Sequence, residues 1–175
     1  MKSIFFSCIF TCLLMSSACN QASKQGGLNF FNNFDARKGW ADISMLTSDE
    51  SYSGKWATFA DSLHPFGFTF KLKFYEISKQ PIRAVRFNVR CKVTKFPSRA
   101  VFIVGVNSPA NQNIYYEVTP MNENLMHENK WVELTGLAEF KEPGINNPDN
   151  EMVFYLYNLD KEMVYADDYH LEFFK

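Results

Sequence analysis

The sequence predicts an all-β protein built as an antiparallel β-sandwich, and two observations support this fold class. From residue 28 onward, apolar residues recur with a period of two rather than 3.6, as in the segment GFTFKLKF at residues 67–74. Proline and glycine residues typical of turns separate the alternating segments. Roughly nine or ten short strands at this spacing, without a convincing amphipathic helix, are typical of a sandwich.

The predicted strands follow one another at regular intervals. After the strand predicted at residues 67–74, the alternation predicts strands at residues 85–93, 101–104, 114–118, 131–134, 152–157 and 164–173. Most of the phenylalanines, 18 in the whole chain, occupy inward positions of these strands. Burial of each ring there contributes about 1.5–3 kcal/mol. Cys91 shares an inward face with Phe87 and Val89, which indicates a buried structural thiol rather than a nucleophile.

The first nineteen residues predict export to the bacterial cell envelope. Lys2 precedes an apolar run of about 12 residues, which is too short to cross a bilayer and typical of a signal peptide. A Ser-Ser-Ala stretch then stands directly before Cys19. This ending resembles the lipobox of bacterial lipoproteins, which implies that Cys19 is lipidated. Plain secretion with cleavage near Ala18 is the alternative.

The lipobox resemblance implies three parts of the chain and a location. They are a signal peptide at residues 1–18, the lipidated cysteine with a flexible tether at residues 19–27, and one folded domain at residues 28–175. We expect a lipid-anchored protein of the bacterial envelope, in the outer membrane. One of the 18 basic residues lies in the signal peptide, which leaves a slightly acidic mature chain with 19 acidic residues. This balance excludes a nucleic-acid partner and leaves the lipid anchor as the only membrane contact.

Four short motifs occur in order along the predicted domain. They are Asn32–Asp35 with Gly39-Trp40, Ser51–Ala57, Asn129–Leu134 and Val164–Leu171. Together they resemble the opening N-x-F-D and G-W pair, the S-G-K turn, the W-x-x-V strand and the closing D-D motif of the carbohydrate-binding modules of families 4, 9 and 22. The resemblance implies a galactose-binding-like jelly roll and a poly- or oligosaccharide as the ligand.

The same resemblance implies a structural Ca²⁺ ion between the ends of the chain. Its ligands would be Asp35, the Lys55 carbonyl and one of the two adjacent aspartates 167 and 168. Asp167 is favoured because it shares parity with Tyr169 and therefore points inward, where an unpaired charge is costly. Calcium needs six to eight hard oxygen ligands, and backbone carbonyls serve as well as carboxylates. The alternative is a solvated strand end at the aspartate pair and a simple turn at Asp35.

A glycan site needs aromatic rings that stack on sugar rings and polar groups that bind hydroxyls. Side chains on the outward parity of three predicted strands supply both. They are Tyr155 and Tyr157, then Arg86, Asn88 and Arg90, and then Tyr115 with Glu117. If these strands share a concave sheet, they form one binding face that suits a glycan. The alternative is an ordinary half-exposed sheet surface, and a register error of one residue would reverse every assignment.

The three tryptophans have different expected positions. Trp40 and Trp131 occupy positions at which the resembled modules pack the core. Trp56 is either a core residue or a platform for ligand.

The sequence offers little that resembles an enzyme. The histidines, three in all, lack metal-binding spacing, and no nucleophile motif or phosphate loop is present. A carboxylate pair such as Glu117 with Glu133 is expected by chance in a sandwich rich in acids. We therefore expect a non-catalytic, membrane-tethered lipoprotein that captures a glycan on the concave face of one sheet. The alternative is a scaffold that uses the same fold to bind an envelope protein.

Overall fold

The computed structural model describes residues 28–35, 43–121 and 127–175. The predictions for the signal peptide, Cys19, the tether and Trp40 lie outside these residues. Within the described ranges, the chain forms two antiparallel sheets, called here sheet A and sheet B. No helix among these residues is long and apolar enough to span a membrane.

Sheet A contains both ends of the domain. Its strands are β1 (Leu28–Asn32), β2 (Leu46–Thr47), β3 (Ala57–Ala60), β5 (Ala84–Val93), β8 (Val132–Glu139) and β10 (Val164–Phe174). They are arranged in the order β2-β3-β10-β5-β8, and β1 also pairs with β10. The first and last strands of the described residues therefore lie side by side.

Sheet B contains the middle of the chain. Its strands are β4 (Phe70–Lys73), β6 (Val101–Asn107), β7 (Asn113–Pro120) and β9 (Glu151–Tyr157), in the order β4-β9-β6-β7. The order leaves β7 as an edge strand, whereas β6 and β9 are central. The described helical segments are short: a 3-10 helix at Ile43–Met45 and α1 at Phe74–Ile77.

Strand β10 changes neighbour halfway along one of its edges. Its first half pairs with β3 and its second half with β1, while β5 follows it along the other edge. The change coincides with a β-bulge between Asp167 and His170, where the register against β5 shifts. This junction positions several of the residues discussed below.

The core lies between the sheets and is dominated by aromatic rings. The Phe154 ring stands 4.8 Å from Phe87, 5.5 Å from Phe102 and 5.3 Å from Tyr169, measured between ring centroids. Such pairs contribute about 0.5–1.5 kcal/mol each beyond the burial of their area. Cys91 is buried on the inner side of β5, as predicted, and burial raises the pKa of its thiol to about 12.

The predicted antiparallel sandwich is confirmed, with one local correction. The strand predicted at residues 67–74 is regular only from Phe70, and α1 already begins at Phe74. The helix starts there because the Lys73 N–H, which has no backbone partner within the helix, donates to the Glu76 carboxylate at 2.7 Å. Phe74 still points into the core, so the inward parity was correct although the element was not.

Candidate functional site

The outer surface of sheet B carries a depression of about 260 Å³ lined by aromatic rings. We call this surface the aromatic face; its rings belong to Phe66, Tyr116, Tyr155 and Tyr157. Ile103 also lines the depression. Two of the rings, Phe66 and Tyr116, are about half exposed, at 51% and 54%. Exposed rings around a hollow are the arrangement that stacks on the apolar faces of sugar rings.

Strand register explains how the rings come together. Tyr155 on β9 lies opposite Ile103 on β6, and Tyr116 on β7 lies opposite Gly105 on β6. Gly105 has no side chain to fill the space between these rows. A Cβ at Gly105 would lie 3.0 Å from the Val153 side chain, which shows how closely the neighbouring strand approaches.

The loop before β4 completes the aromatic face. Phe66 forms an isolated bridge with Tyr157, and the Gly67 N–H donates to the Leu156 carbonyl at 2.9 Å. The Phe66 ring therefore stands 5.1 Å from Tyr157 and 5.8 Å from Tyr155. Burial, and next the neighbouring tyrosines, raise the pKa of Tyr155 above its usual value.

Polar side chains border the aromatic face at one end. The Lys71 ammonium lies 3.1 Å from the Glu151 carboxylate. Asn107 pairs with Glu151 on one side and with Asn113 on the other, which places two amides in the same cross-strand row. Amides and an ion pair supply both donors and acceptors for hydroxyl groups.

The structure separates the residues that the sequence analysis combined into one site. Tyr155 and Tyr157 lie on sheet B, whereas Arg86, Asn88 and Arg90 lie on β5 in sheet A. The condition that these strands share one sheet is therefore wrong, and the two groups lie on opposite outer surfaces of the sandwich. Alternation within a strand gives the side of a residue but not the sheet to which its strand belongs.

The predicted orientation of β7 is also wrong. Tyr115 packs 5.1 Å from the Phe140 ring on the core side, and Tyr115 and Glu117 pair with the inward residues Val106 and Val104. Tyr116 faces outward instead. The reason is that β7 is an edge strand, so a charged side chain on its inner side still reaches solvent at the open margin of the sandwich.

Tyr115 and Glu117 line a separate hollow of about 330 Å³ at that margin. Its other residues are Leu137, Glu139, Lys141 and Glu142. Burial, and next the Glu117 charge, raise the pKa of Tyr115.

The predicted polar residues of β5 make contacts within sheet A. Arg86 forms an ion pair with Glu172 at 3.2 Å and lies over the Phe174 ring. The Asn88 amide donates to Glu133 at 2.8 Å, and Arg90 forms an ion pair with the same carboxylate at 2.6 Å.

The three predicted calcium ligands meet at one turn, residues 51–56. The Asp35 carboxylate accepts the Lys55 N–H at 2.6 Å, and the Asp167 carboxylate accepts the Tyr52 and Ser53 N–H groups at 2.9 and 3.0 Å. Gly54 has a φ of 56°, and a Cβ there would collide with the Asp35 carboxylate. Glycine is therefore required at this turn. We call this arrangement the amide clamp.

Asp167 is fully buried, as predicted, but the predicted cause, an inward position shared with Tyr169 on an alternating strand, is wrong. The β-bulge places it opposite Arg90, on the outer side of sheet A, and the turn at residues 51–56 covers it there. Burial raises the pKa of Asp167 to about 6, although three backbone N–H groups oppose the shift. The third of these belongs to Asp168 and donates at 2.7 Å.

The amide clamp does not present the oxygen ligands that calcium prefers. Both Asp167 oxygens and one Asp35 oxygen accept N–H groups, and Lys55 meets Asp35 through its N–H rather than its carbonyl. A calcium ion would have to replace these hydrogen bonds. No group of three or more acidic, histidine or cysteine side chains in the described ranges is arranged around a metal position. The calcium site stays a prediction.

The two described tryptophans lie near the amide clamp. Trp131 was expected in the core, but the structure places it elsewhere. Its ring is half buried and stands 5.9 Å from the Tyr52 ring, measured between centroids. Trp56 packs partly against the core, which agrees with the first of its two expected positions.

Sequence reasoning missed Phe66 and Tyr116. Phe66 has the parity of the buried residues Phe68 and Phe70 but precedes the regular part of β4, and Tyr116 was assigned inward. Adjacent residues 115 and 116 are both tyrosines and point to opposite sides of the strand. The sequence pattern alone therefore did not show which of the two rings faces outward.

Comparison with known proteins supports the fold. No protein-family model matches the chain, and no curated protein matches its sequence. Among solved structures, the chain is similar to the CBM22-1 xylan-binding domain from Paenibacillus barcinonensis Xyn10C, with a TM-score of 0.56 and 16% identity over 86% of this chain and 97% of that one. A family 16 carbohydrate-binding module gives a TM-score of 0.52 and 15% identity, over 79% and 94% of the two chains.

A third similar structure is the C-terminal family 22 carbohydrate-binding module of Clostridium thermocellum Xyn10B. Its TM-score is 0.51 at 12% identity, over 84% of this chain and 93% of that one. At these identities the likeness establishes the fold alone. The antiparallel jelly-roll β-sandwich that the sequence predicts is thereby confirmed.

Proposed function

We propose that this protein is a non-catalytic carbohydrate-binding protein that holds a polysaccharide on the aromatic face. The observation that supports this most is the grouping of four aromatic rings from three chain segments around one depression. Aromatic rings stack on the C–H faces of sugars, and the polar border at Lys71, Glu151 and the two asparagines supplies hydrogen bonds to hydroxyls.

The fold favours the same proposal. Two of the similar solved structures belong to family 22 carbohydrate-binding modules, and one of them is described as xylan-binding. A polysaccharide of linked pyranose rings is therefore the ligand class to test first. The aromatic face replaces the site predicted from sequence: Tyr155 and Tyr157 stay in it, and Phe66 and Tyr116 join it.

The membrane anchor is a separate part of the proposal. We infer from the lipobox resemblance that Cys19 carries acyl chains and tethers the domain to the bacterial envelope, in the outer membrane. Each buried CH₂ group contributes about 0.8 kcal/mol, so several chains anchor a protein stably. A tethered binding domain suits capture of a glycan at the cell surface or in the periplasm.

Mass spectrometry of the mature protein from a bacterial host tests the anchor. We expect an acylated N-terminus at Cys19 and loss of acylation in Cys19→Ser. An unacylated N-terminus elsewhere would contradict the tether but not the binding proposal.

Affinity electrophoresis of the full chain through gels that contain xylan, β-glucan, mannan or pectin tests the binding proposal. We expect at least one polysaccharide to retard the protein. Tyr116→Ala and Phe66→Ala should weaken that binding about tenfold, or about 1.4 kcal/mol. Both side chains are half exposed, so their removal leaves the core intact. Tyr75→Ala is the matched control, because this ring is 52% exposed but lies outside the depression.

Two results would overturn the binding proposal. One is the absence of retardation across the polysaccharides. The other is equal retardation of the wild type and the two variants. In either case, co-purification of an envelope protein with the wild type but not with Tyr116→Ala would support the scaffold function instead.

A further inference from the structure

The outer surface of sheet A carries a hollow of about 390 Å³, on the opposite side of the sandwich from the aromatic face. We call it the polar hollow. It is lined by Phe31, Asn88, Arg90, Glu133, Asp168 and His170. Its volume lies within the range of sites for small ligands. Neither the aromatic face nor the core uses these residues.

The polar hollow results from the junction at which β10 changes neighbour. Phe31, His170 and Asn88 are cross-strand neighbours in one row, and Arg90 and Glu133 are neighbours in the next. The β-bulge inserts Asp168 between these rows, with a φ of 49°. Ordinary pairing would not present a carboxylate at this point, and bulges often direct a side chain towards a site.

The polar groups of the hollow are held in place by partners. Glu133 is fixed by Arg90 at 2.6 Å and by Asn88 at 2.8 Å. The Asp168 carboxylate accepts the Ser53 hydroxyl at 2.6 Å. A His170 ring nitrogen lies 3.1 Å from the Asn29 amide oxygen. Side chains that are already ordered lose little entropy when a ligand binds.

These groups keep free capacity for hydrogen bonds. A carboxylate offers about four acceptor positions, and those of Glu133 and Asp168 are only partly used by the contacts above. A guanidinium has five N–H donors, so Arg90 also has more donors than its ion pair needs. The hollow therefore offers acceptors and donors side by side.

Phe31 gives the hollow an apolar platform. Its ring is 63% exposed, although its neighbour in the sequence, Phe30, packs against the core. An exposed phenyl ring beside fixed acceptors and donors matches a molecule with one C–H face and a rim of hydroxyls. Two carboxylates disfavour a phosphate or another anion, and Arg90 disfavours an amine.

We infer that the polar hollow binds a single neutral sugar ring and is a second carbohydrate site. The sugar stacks on Phe31, and its hydroxyls donate to Asp168 and Glu133 and accept from Arg90. The two sites lie on opposite surfaces, so one short oligosaccharide cannot occupy both. A protein with both sites links two glycan strands, or one long strand that returns to it.

Two-dimensional NMR of the isotope-labelled full chain tests the polar hollow. Xylose, glucose, galactose and mannose are added separately to about 50 mM, because a single ring binds with millimolar affinity. We expect one of them to shift the amide signals of Phe31, Asn88 and His170. Phe31→Ala and Asp168→Asn should abolish these shifts. Asparagine tolerates the positive φ at position 168 and still accepts the Ser53 hydroxyl, so the bulge is kept.

Leu137→Ala is the matched control, because this side chain is 50% exposed on the same sheet but lies outside the hollow. It should leave the shifts unchanged. Tyr116→Ala should also leave them unchanged while it weakens polysaccharide retardation, which separates a failure of this inference from a failure of the proposed function. Absence of shifts with all four sugars would overturn the inference. So would shifts that persist in Phe31→Ala and Asp168→Asn, or shifts caused by inorganic phosphate or ethanolamine instead of a sugar.

Discussion

The two outer surfaces of this sandwich position their candidate binding side chains by different physical means. On the aromatic face, plain alternation along β6, β7 and β9 sets the rings side by side, and Phe66 joins from the preceding loop. On sheet A, a bulge and a change of strand partner bring together Asp167, Asp168 and the turn at residues 51–56. The first surface depends on regular pairing and the second on an interruption of it.

This difference predicts where a substitution should affect folding and where it should affect binding. Two rings of the aromatic face, those of Phe66 and Tyr116, are about half exposed, so the core does not depend on them. The carboxylate of Asp167 is buried and satisfies three backbone N–H groups. We therefore expect a large stability effect at Asp167, and binding effects with small stability changes at Phe66 and Tyr116.

The largest expected effect is the loss of the amide clamp in Asp167→Ala. Three part-buried N–H groups lose their acceptor, and an unsatisfied group costs about 1–3 kcal/mol, less where water reaches it. We expect the free energy of unfolding, measured in urea, to fall by about 3–5 kcal/mol. Asp168→Asn, which keeps its contact with Ser53, should cost less than about 1 kcal/mol. A loss below 1 kcal/mol in Asp167→Ala would show that the clamp does not hold the turn.

The pH dependence of the free energy of unfolding should show the ionisation of the Asp167 carboxyl group. The pKa of Asp167 is raised to about 6, above its value of 3.8 in an unfolded chain. The folded state therefore binds a proton more tightly, and ionised Asp167 costs stability above pH 6. That cost is relieved as the pH falls from 6 towards 4.

Comparison with Asp167→Asn isolates this titration from the other acids. As the pH falls from 7 to 4.5, the wild type should gain about 2 kcal/mol relative to the variant, which cannot titrate. Urea unfolding at both pH values measures the difference. A constant difference would contradict the raised pKa, and the opposite sign would indicate a carboxylate held ionised by a bound cation.

Neighbouring tyrosines on β7 distinguish the two possible orientations of that strand. Tyr116→Ala removes a ring from the aromatic face and should weaken polysaccharide binding about tenfold. Tyr115→Ala removes a ring that packs on Phe140, so it should lower stability and leave binding unchanged. Affinity electrophoresis and urea unfolding of the same samples separate the effects. The reverse outcome would restore the orientation predicted from sequence.

Chelation should have the smallest effect. The hydrogen bonds of the amide clamp need no metal, so EDTA should change the melting temperature by less than about 1 °C. A decrease of several degrees that excess calcium chloride restores would instead establish the calcium site predicted from the family resemblance.

Much of the fold was predictable because alternation is a local property of each strand. The inward residues of β5 and β9, such as Phe87 and Phe154, follow directly from period two. The meeting of Asp35, the S-G-K turn and Asp167 was also predicted, from the resemblance to the carbohydrate-binding modules. The turn residue Gly54 is explained by its positive φ and its contact with Asp35.

The candidate site was predictable only in part. Tyr155 and Tyr157 were assigned outward correctly, but their partners Phe66 and Tyr116 were missed. The polar residues Arg86, Asn88 and Arg90 were correctly assigned outward. They were wrongly grouped with the tyrosines of β9, which belongs to the other sheet. Asp167 was placed in a buried position for the wrong reason, because a bulge is not visible in the alternation of the sequence.

The sequence by itself determined the fold class, the strands and the inward side of most of them, because these depend on the spacing of apolar residues along a short segment. Only the tertiary structure decided which outward side chains share a surface. That choice depends on pairing between distant strands, on the edge position of β7 and on the bulge in β10. Both proposed binding surfaces therefore result from long-range pairing, which local spacing does not encode.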